Sequence, residues 1–435
     1  MFQFPKSNVF SQYFANTSWL LGERILRIAI SLFIGIYVAR YLGPERFGLL
    51  SYSLSFVLLF SSLASFGLDD ILVRELVKSP EKQKDILGTV FWLKVCGALV
   101  MGTAIALVLK YKAEDQQTYW MIALITLGFL FQGTNVIEFY FQSQVQSKHA
   151  VRAQVIQLIL TSIFKIYLVW VKADLVWFAF ALMIDQAVVA ILFLTVYHWQ
   201  IERFPFFSFR WIQATKLMRD AWPLIFAGMV VSVYMKIDQV MLKEMLDAKA
   251  VGIYAAAVKL TEAWYFVPTV ISASLFPAII EARKKSEDLY NERVQKLYDL
   301  IVWTSVAVAL PTSLVADWII LIIYGDNFQE ATDILRIYIW AGVFVSLGVV
   351  SSKWLVAENL QSYSLYRTVI GVILNINCNL LLIPIYGAKG AVFATLISYF
   401  IVNYVSLSFY KKTRGNFWTV SRSLNLYSVI QRNFR

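Results

Sequence analysis

Residues 222–260 read WPLIFAGMVVSVYMKIDQVMLKEMLDAKAVGIYAAAVKL. The stretch opens on an apolar run long enough to cross a bilayer, because a hydrocarbon core of about 30 Å needs about 20 helical residues. The run ends at Lys243 and a short polar turn, and Gly252 opens a second apolar run. Lys236 and Asp238 sit inside the first run, where an ionised side chain is costly and marks a functional site by default. The segment reads as an apolar helical hairpin carrying charge in its membrane-buried part, and the rest of the chain repeats that theme.

Across 435 residues the composition is 59% hydrophobic and 15% charged, with a mean hydropathy of +0.62. Soluble domains of this length do not reach such values. Windows of about 20 apolar residues give about twelve spans. They lie at 14–38, 47–66, 86–109, 118–140, 154–172, 175–199, 221–242, 253–280, 297–322, 333–356, 365–383 and 389–410. The first carries Glu23, Arg24 and Arg27 with no small-residue cleavage site after it, so it reads as a retained span and not as a signal peptide. The expected fold is all-α and integral to the membrane.

The longest connection, around 200–220, divides the chain. It gives an N-terminal six-helix lobe at 1–200, a cytoplasmic linker at 201–220, a C-terminal six-helix lobe at 221–410 and a basic cytoplasmic tail at 411–435. The outside connections are short, about ten residues at most, which leaves no room for a soluble catalytic domain. With the N-terminus inside, the cytoplasmic segments collect roughly 22 Lys and Arg, from Lys6 through Arg203 to Arg435, against about 8 outside. That bias predicts both termini in the cytoplasm. Much of the net charge of +11 then serves topology and attraction to anionic lipid heads, and requires no nucleic acid.

The hairpin at 222–260 has an echo in YVARYLGPERFGLLSY, Tyr37 to Tyr52. Each copy has an apolar helix end, a basic residue (Arg40, Lys243), a short polar turn and a glycine (Gly48, Gly252) opening the next helix. Both copies leave the cytoplasm, so the repeats are parallel, related by an axis along the membrane normal. Two six-helix bundles around a central cavity would support alternating access.

Arg24, Arg27, Lys165 and Lys236 lie near the middle of apolar stretches. At about 2.5 to 3.5 kcal/mol each, these cations imply on the order of 10 kcal/mol to be offset. Local pairing meets part of the demand, since Glu23 and Arg27 are four apart, and Lys259 and Glu262, like Asp333 and Arg336, are three apart. Lys94, Glu138, Lys353 and Arg367 lie within a few turns of a cytoplasmic end, where a long stem reaches the interface. Arg24, Lys165 and Lys236 have no carboxylate three or four residues away, which points to an anionic ligand or to ion pairs across helices. Polar stripes accompany them: Gln157, Thr161 and Lys165; Ser232, Lys236 and Gln239; Arg367, Asn375 and Asn379. Their helical spacing suggests one shared wet lumen. Asp185 and Asp238 are the deepest carboxylates, each an ion-coupling site or a partner for Lys165 or Lys236.

Most aromatic residues fit an interfacial belt. Tyr234, Trp264, Tyr265, Trp303 and Trp340 lie deeper, where a ring in a wet cavity stacks on sugar. Cys96 and Cys378 fall inside spans and read as buried thiols. His149 and His198 are the only histidines, both near span ends, so no metal centre is expected.

Three segments carry a family resemblance: VARYLGPERFGLLSYSLSF (Val38 to Phe56), SFGLDDILVRELVKSP (Ser65 to Pro80) and FQSQVQSKHAVRAQVI (Phe141 to Ile156). With the echo at Trp222 to Leu260, they resemble bacterial polysaccharide or O-antigen flippases of the multidrug/oligosaccharidyl-lipid/polysaccharide exporter superfamily. The resemblance covers most of the chain. It implies a MATE-like fold of two six-helix lobes and a substrate of undecaprenyl pyrophosphate bearing an oligosaccharide repeat unit. It further implies movement of that substrate to the outer leaflet of the inner membrane for O-antigen, capsule or exopolysaccharide. On this reading the protein transports without catalysis or cofactor, with H+ or Na+ coupling through Asp238 or Asp185. Arg24, Arg27, Lys165, Lys236 and Arg367 would bind the pyrophosphate or anionic sugar, and a polysaccharide polymerase and chain-length regulator would be partners. Two other readings stand beside it. A cation-coupled small-molecule exporter of the same fold should have an acidic lumen, and here the deep excess is basic. A membrane glycosyltransferase or polymerase should have a substantial catalytic loop, and here the loops are short.

Overall fold

The computed structural model describes residues 7–201, 204–206 and 208–433, so Lys6, Arg203 and Arg435 lie outside the described residues. Helices make up the secondary structure, with no strand among the described residues. Among the described residues, eleven helices are long and apolar enough to cross a membrane: Ser18–Leu59, Pro80–Tyr111, Gln116–Ser143, Lys148–Trp170, Leu175–Gln200, Trp211–Met245, Ala248–Arg283, Glu287–Leu314, Ala331–Ala357, Gln361–Tyr386 and Ala388–Phe409. The first is really two. At Gly43 the backbone leaves the helical region (φ 72°, ψ 171°), and Pro44 begins the next helix. Glycine reaches positive φ without a Cβ clash, and proline suits a first helical turn. With this break each of the twelve predicted spans has its helix.

Boundaries differ where side chains break a pattern that stays apolar. The ninth span, expected at 297–322, ends at Leu314, and residues 316–324 form a separate helix, Ala316–Tyr324. The tail at 411–435 is built into the fold: Arg414–Leu424 and Leu426–Asn433 are helices, and the guanidinium of Arg432 grips Asp299 at 3.0 Å. Gln295 and Trp303 of the ninth span also donate to the carbonyls of Thr419 and Ser423, both at 3.0 Å.

The helices gather into two compact units, Met1–Leu42 with Leu49–Lys236, and Gly43–Gly48 with Ile237–Arg435. The division falls inside the helix Trp211–Met245, and the expected linker at 201–220 belongs to the first unit. Its residues are held there by contact. Phe204 and Phe206 pack edge-on against Phe91 at 5.5 and 5.2 Å, and the Trp92 indole donates to the Phe206 carbonyl at 2.7 Å. Arg210 reaches Asp85 at 3.1 Å, and Arg74 reaches Asp220 at 2.7 Å. Residues 211–220 are already helical.

The core of the first unit gathers Leu68, Leu72, Leu76, Leu87, Ile137 and Phe141. That of the second gathers Tyr290, Leu297, Tyr298, Ile301, Leu347 and Leu407. Within the second unit the two copies of the repeated motif meet. A Cβ on Gly48 would lie 1.7 Å from the Ala248 carbonyl oxygen, and one on Gly252 would lie 1.9 Å from that of Pro44. Each glycine lies four residues after the residue its counterpart touches. That reciprocity is what a local two-fold between equivalent segments gives, and small residues are what let membrane helices approach so closely.

Candidate functional site

In the first unit the fifth span presents Gln157, Thr161 and Lys165 on one face. The Gln157 amide donates to Thr161 Oγ1 at 3.1 Å, and Thr161 Oγ1 donates to the Gln157 carbonyl at 3.0 Å. A tight turn with Lys172 at φ 53° returns the chain antiparallel as the sixth span. That return brings Asp185 to Lys165 Nζ at 2.6 Å and to Gln157 Nε2 at 3.2 Å. Lys165 is therefore an ion-paired cation. Its partner lies twenty residues away on the neighbouring span, beyond the reach of an i,i+4 search.

The first span holds the pair expected from its spacing, Arg27 Nε to Glu23 Oε1 at 2.5 Å. Glu138 of the fourth span lies within electrostatic reach of Glu23, Arg27 and Lys94. Lys94 does not snorkel to an interface. It is 4% exposed, bound to Asp69 at 2.5 Å, and 4.9 Å above the Phe139 ring. The sequence signal was available in Asp69, which starts a short helix after Gly67, but nothing in the spacing joined it to Lys94.

Arg24 and Lys236 stand apart from these clusters. Arg24 is exposed, Lys236 is half-buried, and neither takes part in a hydrogen bond or ion pair among the described residues. Near Lys236, Ser232 meets Ser61 at 3.2 Å, which holds this part of the seventh span against the second.

In the second unit Asp238 is 5% exposed and accepts three hydrogen bonds from neutral donors: Tyr254 Oη at 2.8 Å, Asn379 Nδ2 at 2.7 Å and Thr395 Oγ1 at 2.6 Å. It therefore does not serve as the counter-ion of Lys236. Asn379 Nδ2 also donates to Asn375 Oδ1 at 3.1 Å, and the buried Asn379 Oδ1 has no partner among the described residues. The result is a buried carboxylate held by two hydroxyls and one amide N–H. Asn375 and Asn379 were visible as a stripe. Tyr254 and Thr395 were not singled out, since each is an ordinary residue of an apolar helix. Arg367, also expected to reach an interface, is buried and donates to the hydroxyls of Ser351 at 2.7 Å and Ser352 at 2.6 Å.

Together these features describe a multi-pass helical membrane protein whose charges are held inside its helical units, and comparison with known proteins places it. The fold is that of the MATE and lipid-flippase transporters. A solved structure described as "Lipid II flippase MurJ, inward closed conformation" superposes with a TM-score of 0.72 at 13% identity, over 94% of this chain and 91% of that one. An inward-facing multidrug resistance MATE family transporter of the MOP superfamily gives 0.67 at 14% identity, over 91% and 96%.

The chain belongs to the polysaccharide biosynthesis protein family, whose pattern it matches over residues 13–283, and residues 223–381 also match the MatE family. Its family and fold are those of membrane transporters and flippases, not of enzymes. Among its relatives is the "Probable low-salt glycan biosynthesis flippase Agl15" of Haloferax volcanii, 24% identical over 45% of this chain and 43% of that protein. The chain thus matches less than half the length of that relative. An uncharacterized membrane protein of Methanocaldococcus jannaschii, MJ1068, is 23% identical over 88% of this chain and 81% of its own length. The "Lipid II flippase MurJ" of Bacillus subtilis is 25% identical over 42% and 36%.

Proposed function

We infer that this protein moves undecaprenyl-pyrophosphate-linked oligosaccharide repeat units from the cytoplasmic to the outer leaflet of the bacterial inner membrane by alternating access. The product feeds a surface polysaccharide, whether O-antigen, capsule or exopolysaccharide, and both termini face the cytoplasm. The observation that carries the reading is the pair of cations without partners among the described residues, Arg24 and Lys236, in spans of a flippase-family protein. A pyrophosphate supplies the compensating charge, and the lipid tail stays in the bilayer. Arg27 and Lys165 join these two when the ligand competes with Glu23 and Asp185 for them, and Arg367 contributes a charge in the second unit.

Cation coupling runs through Asp238. The support is its burial among neutral groups, two hydroxyls and one amide N–H on the carboxylate, with Asn379 Oδ1 unpartnered among the described residues, a setting suited to taking up a proton. Asp185 is engaged with Lys165, which makes it the weaker coupling candidate.

The test is a proteoliposome assay with a fluorescent lipid-linked oligosaccharide and imposed H+ or Na+ gradients. The substrate should change leaflet without covalent change, and Arg24→Glu or Lys236→Glu should abolish movement while the protein still inserts. Wild-type rates in both reversals would sink the headgroup reading, and any new covalent product would favour an enzyme. Asp238→Asn should move substrate without responding to a gradient.

A further inference from the structure

The last membrane span, Ala388–Phe409, leads directly into a tail with six basic residues and no acidic one between Lys411 and Arg435. The tail packs along the ninth span, inside the second unit. On the helix Arg414–Leu424 the residues Asn416, Val420 and Ser423 are buried, and Asn416 donates to the Tyr298 hydroxyl at 3.0 Å. Arg414, Trp418 and Arg422 follow at four-residue spacing on the opposite, exposed face. The side chains of Lys411, Lys412 and Arg422 meet no carboxylate among the described residues, and Arg414 donates to the Ser408 carbonyl at 3.1 Å. Asp299, the buried carboxylate beside the tail, is already held by Arg432. Between the ninth span and the helix Leu426–Asn433 runs a groove of about 490 Å³, lined by Lys296, Asp299, Leu300, Trp303, Ala307 and Val429. Along the span its lining passes from charged residues, Lys296 and Asp299, to apolar ones, Leu300, Trp303 and Ala307.

We propose that the tail and this groove form a seat for anionic phospholipid. An acyl chain lies against Leu300, Trp303 and Ala307, and phosphate headgroups meet the basic face of the tail. A helix with basic residues and tryptophan on its outer face settles at the boundary between headgroups and chains. Trp303 sets the depth of the tail against the span, because its indole donates to the Ser423 carbonyl at 3.0 Å. Charge selects the class of lipid: a zwitterionic head leaves the tail's cations uncompensated, whereas an anionic surface strengthens attachment about fivefold for each basic residue near it. The seat uses none of the residues assigned to the transported headgroup, so it stands or falls separately from the transport reading.

Trp418 and Tyr427 supply the assay, because both are exposed and both are chymotrypsin sites. The full chain is placed in nanodiscs of phosphatidylcholine, alone or with about 30% phosphatidylglycerol, and release of the C-terminal fragment is timed. Phosphatidylglycerol should slow cleavage about tenfold or more. Salt at about 1 M, where the screening length is about 3 Å, should remove that protection. The triple variant Lys411→Gln, Lys412→Gln, Arg422→Gln should be cut at the wild-type rate in phosphatidylcholine, since Arg432 still holds the tail, and should lose most of the phosphatidylglycerol effect. Ala307→Phe narrows the groove and should lower severalfold the phosphatidylglycerol that stays bound through detergent extraction, read by native mass spectrometry. Equal cleavage of the wild type in the two lipids, a full phosphatidylglycerol effect in the triple variant, or undiminished lipid retention in Ala307→Phe would overturn the proposal.

Discussion

Replacing Gly48 by alanine tests the close backbone approach between the two repeated segments. The new Cβ would stand 1.7 Å from the Ala248 carbonyl oxygen and 2.8 Å from the Gly252 nitrogen, where at least 3.0 Å is needed. The two backbones must separate by about 1.3 Å, and no flexible side chain can absorb the strain. Overpacking costs about 1 to 3 kcal/mol, and backbone against backbone belongs at the upper end. At about 2 to 4 °C per kcal/mol for a unit of some 200 residues, the melting temperature should fall by about 6 to 12 °C. Gly252→Ala meets the Pro44 carbonyl at 1.9 Å and should cost nearly as much. Because the contact is reciprocal, one separation relieves both clashes. The double variant should therefore cost less than the two singles together, by about 1 kcal/mol or more. Thermal unfolding of the detergent-purified protein, followed by size-exclusion recovery, reads all three. A Gly48→Ala protein melting within about 1 °C of wild type, or strictly additive penalties, would refute the reasoning.

Lys165→Met strands Asp185 beside Gln157 and should destabilise the first unit by up to about 3 kcal/mol, while Lys165→Met with Asp185→Leu recovers most of the loss. If Lys165 also meets the substrate, that double variant is stable yet slow in transport; full transport would make the pair purely structural. Asp238→Leu strands the Tyr254 hydroxyl, leaves Asn379 and Thr395 only their bonds to Asn375 and Ala391, and should lower the melting temperature of the second unit more than Asp238→Asn does, as scanning fluorimetry would report. Arg432→Ala exposes the buried charge of Asp299, 3% accessible in the wild type, and should release the tail to proteolysis after residue 411. Adding Asp299→Asn should restore much of the protection, and unchanged cleavage in Arg432→Ala would show that the tail is held by its apolar contacts alone.

The spans were legible because hydropathy over about 20 residues is set by bilayer thickness and survives any packing. Tertiary partners were not. The i,i+4 rule found Glu23 for Arg27, since that pair lies on one helix, and it could not find Asp185 for Lys165 or Asp69 for Lys94, which need the neighbour's identity and register. Asp238 shows the same limit, with donors 16, 141 and 157 residues away. The break at Gly43 was written as a polar turn, but its result, residues 43–48 joining the second unit, depends on the glycine contact with Ala248.

These pairings narrow the energetic argument. The four intramembrane cations called for on the order of 10 kcal/mol of compensation. Glu23 and Asp185 supply it for Arg27 and Lys165, which leaves two cations and about 5 to 7 kcal/mol. Arg24 is exposed and Lys236 half-buried, and neither has a partner among the described residues, so an external anion is the natural neutraliser. Water lowers the cost of such a charge without selecting a ligand, whereas a pyrophosphate brings two or more negative charges and favours sites that present unpaired cations over those already bound to carboxylates. Charge reversal at Arg24 or Lys236 should therefore cost far more transport than reversal at Lys165, where Asp185 already screens the ligand. Equal losses at all three positions would mean that the carboxylate partners do not set the order.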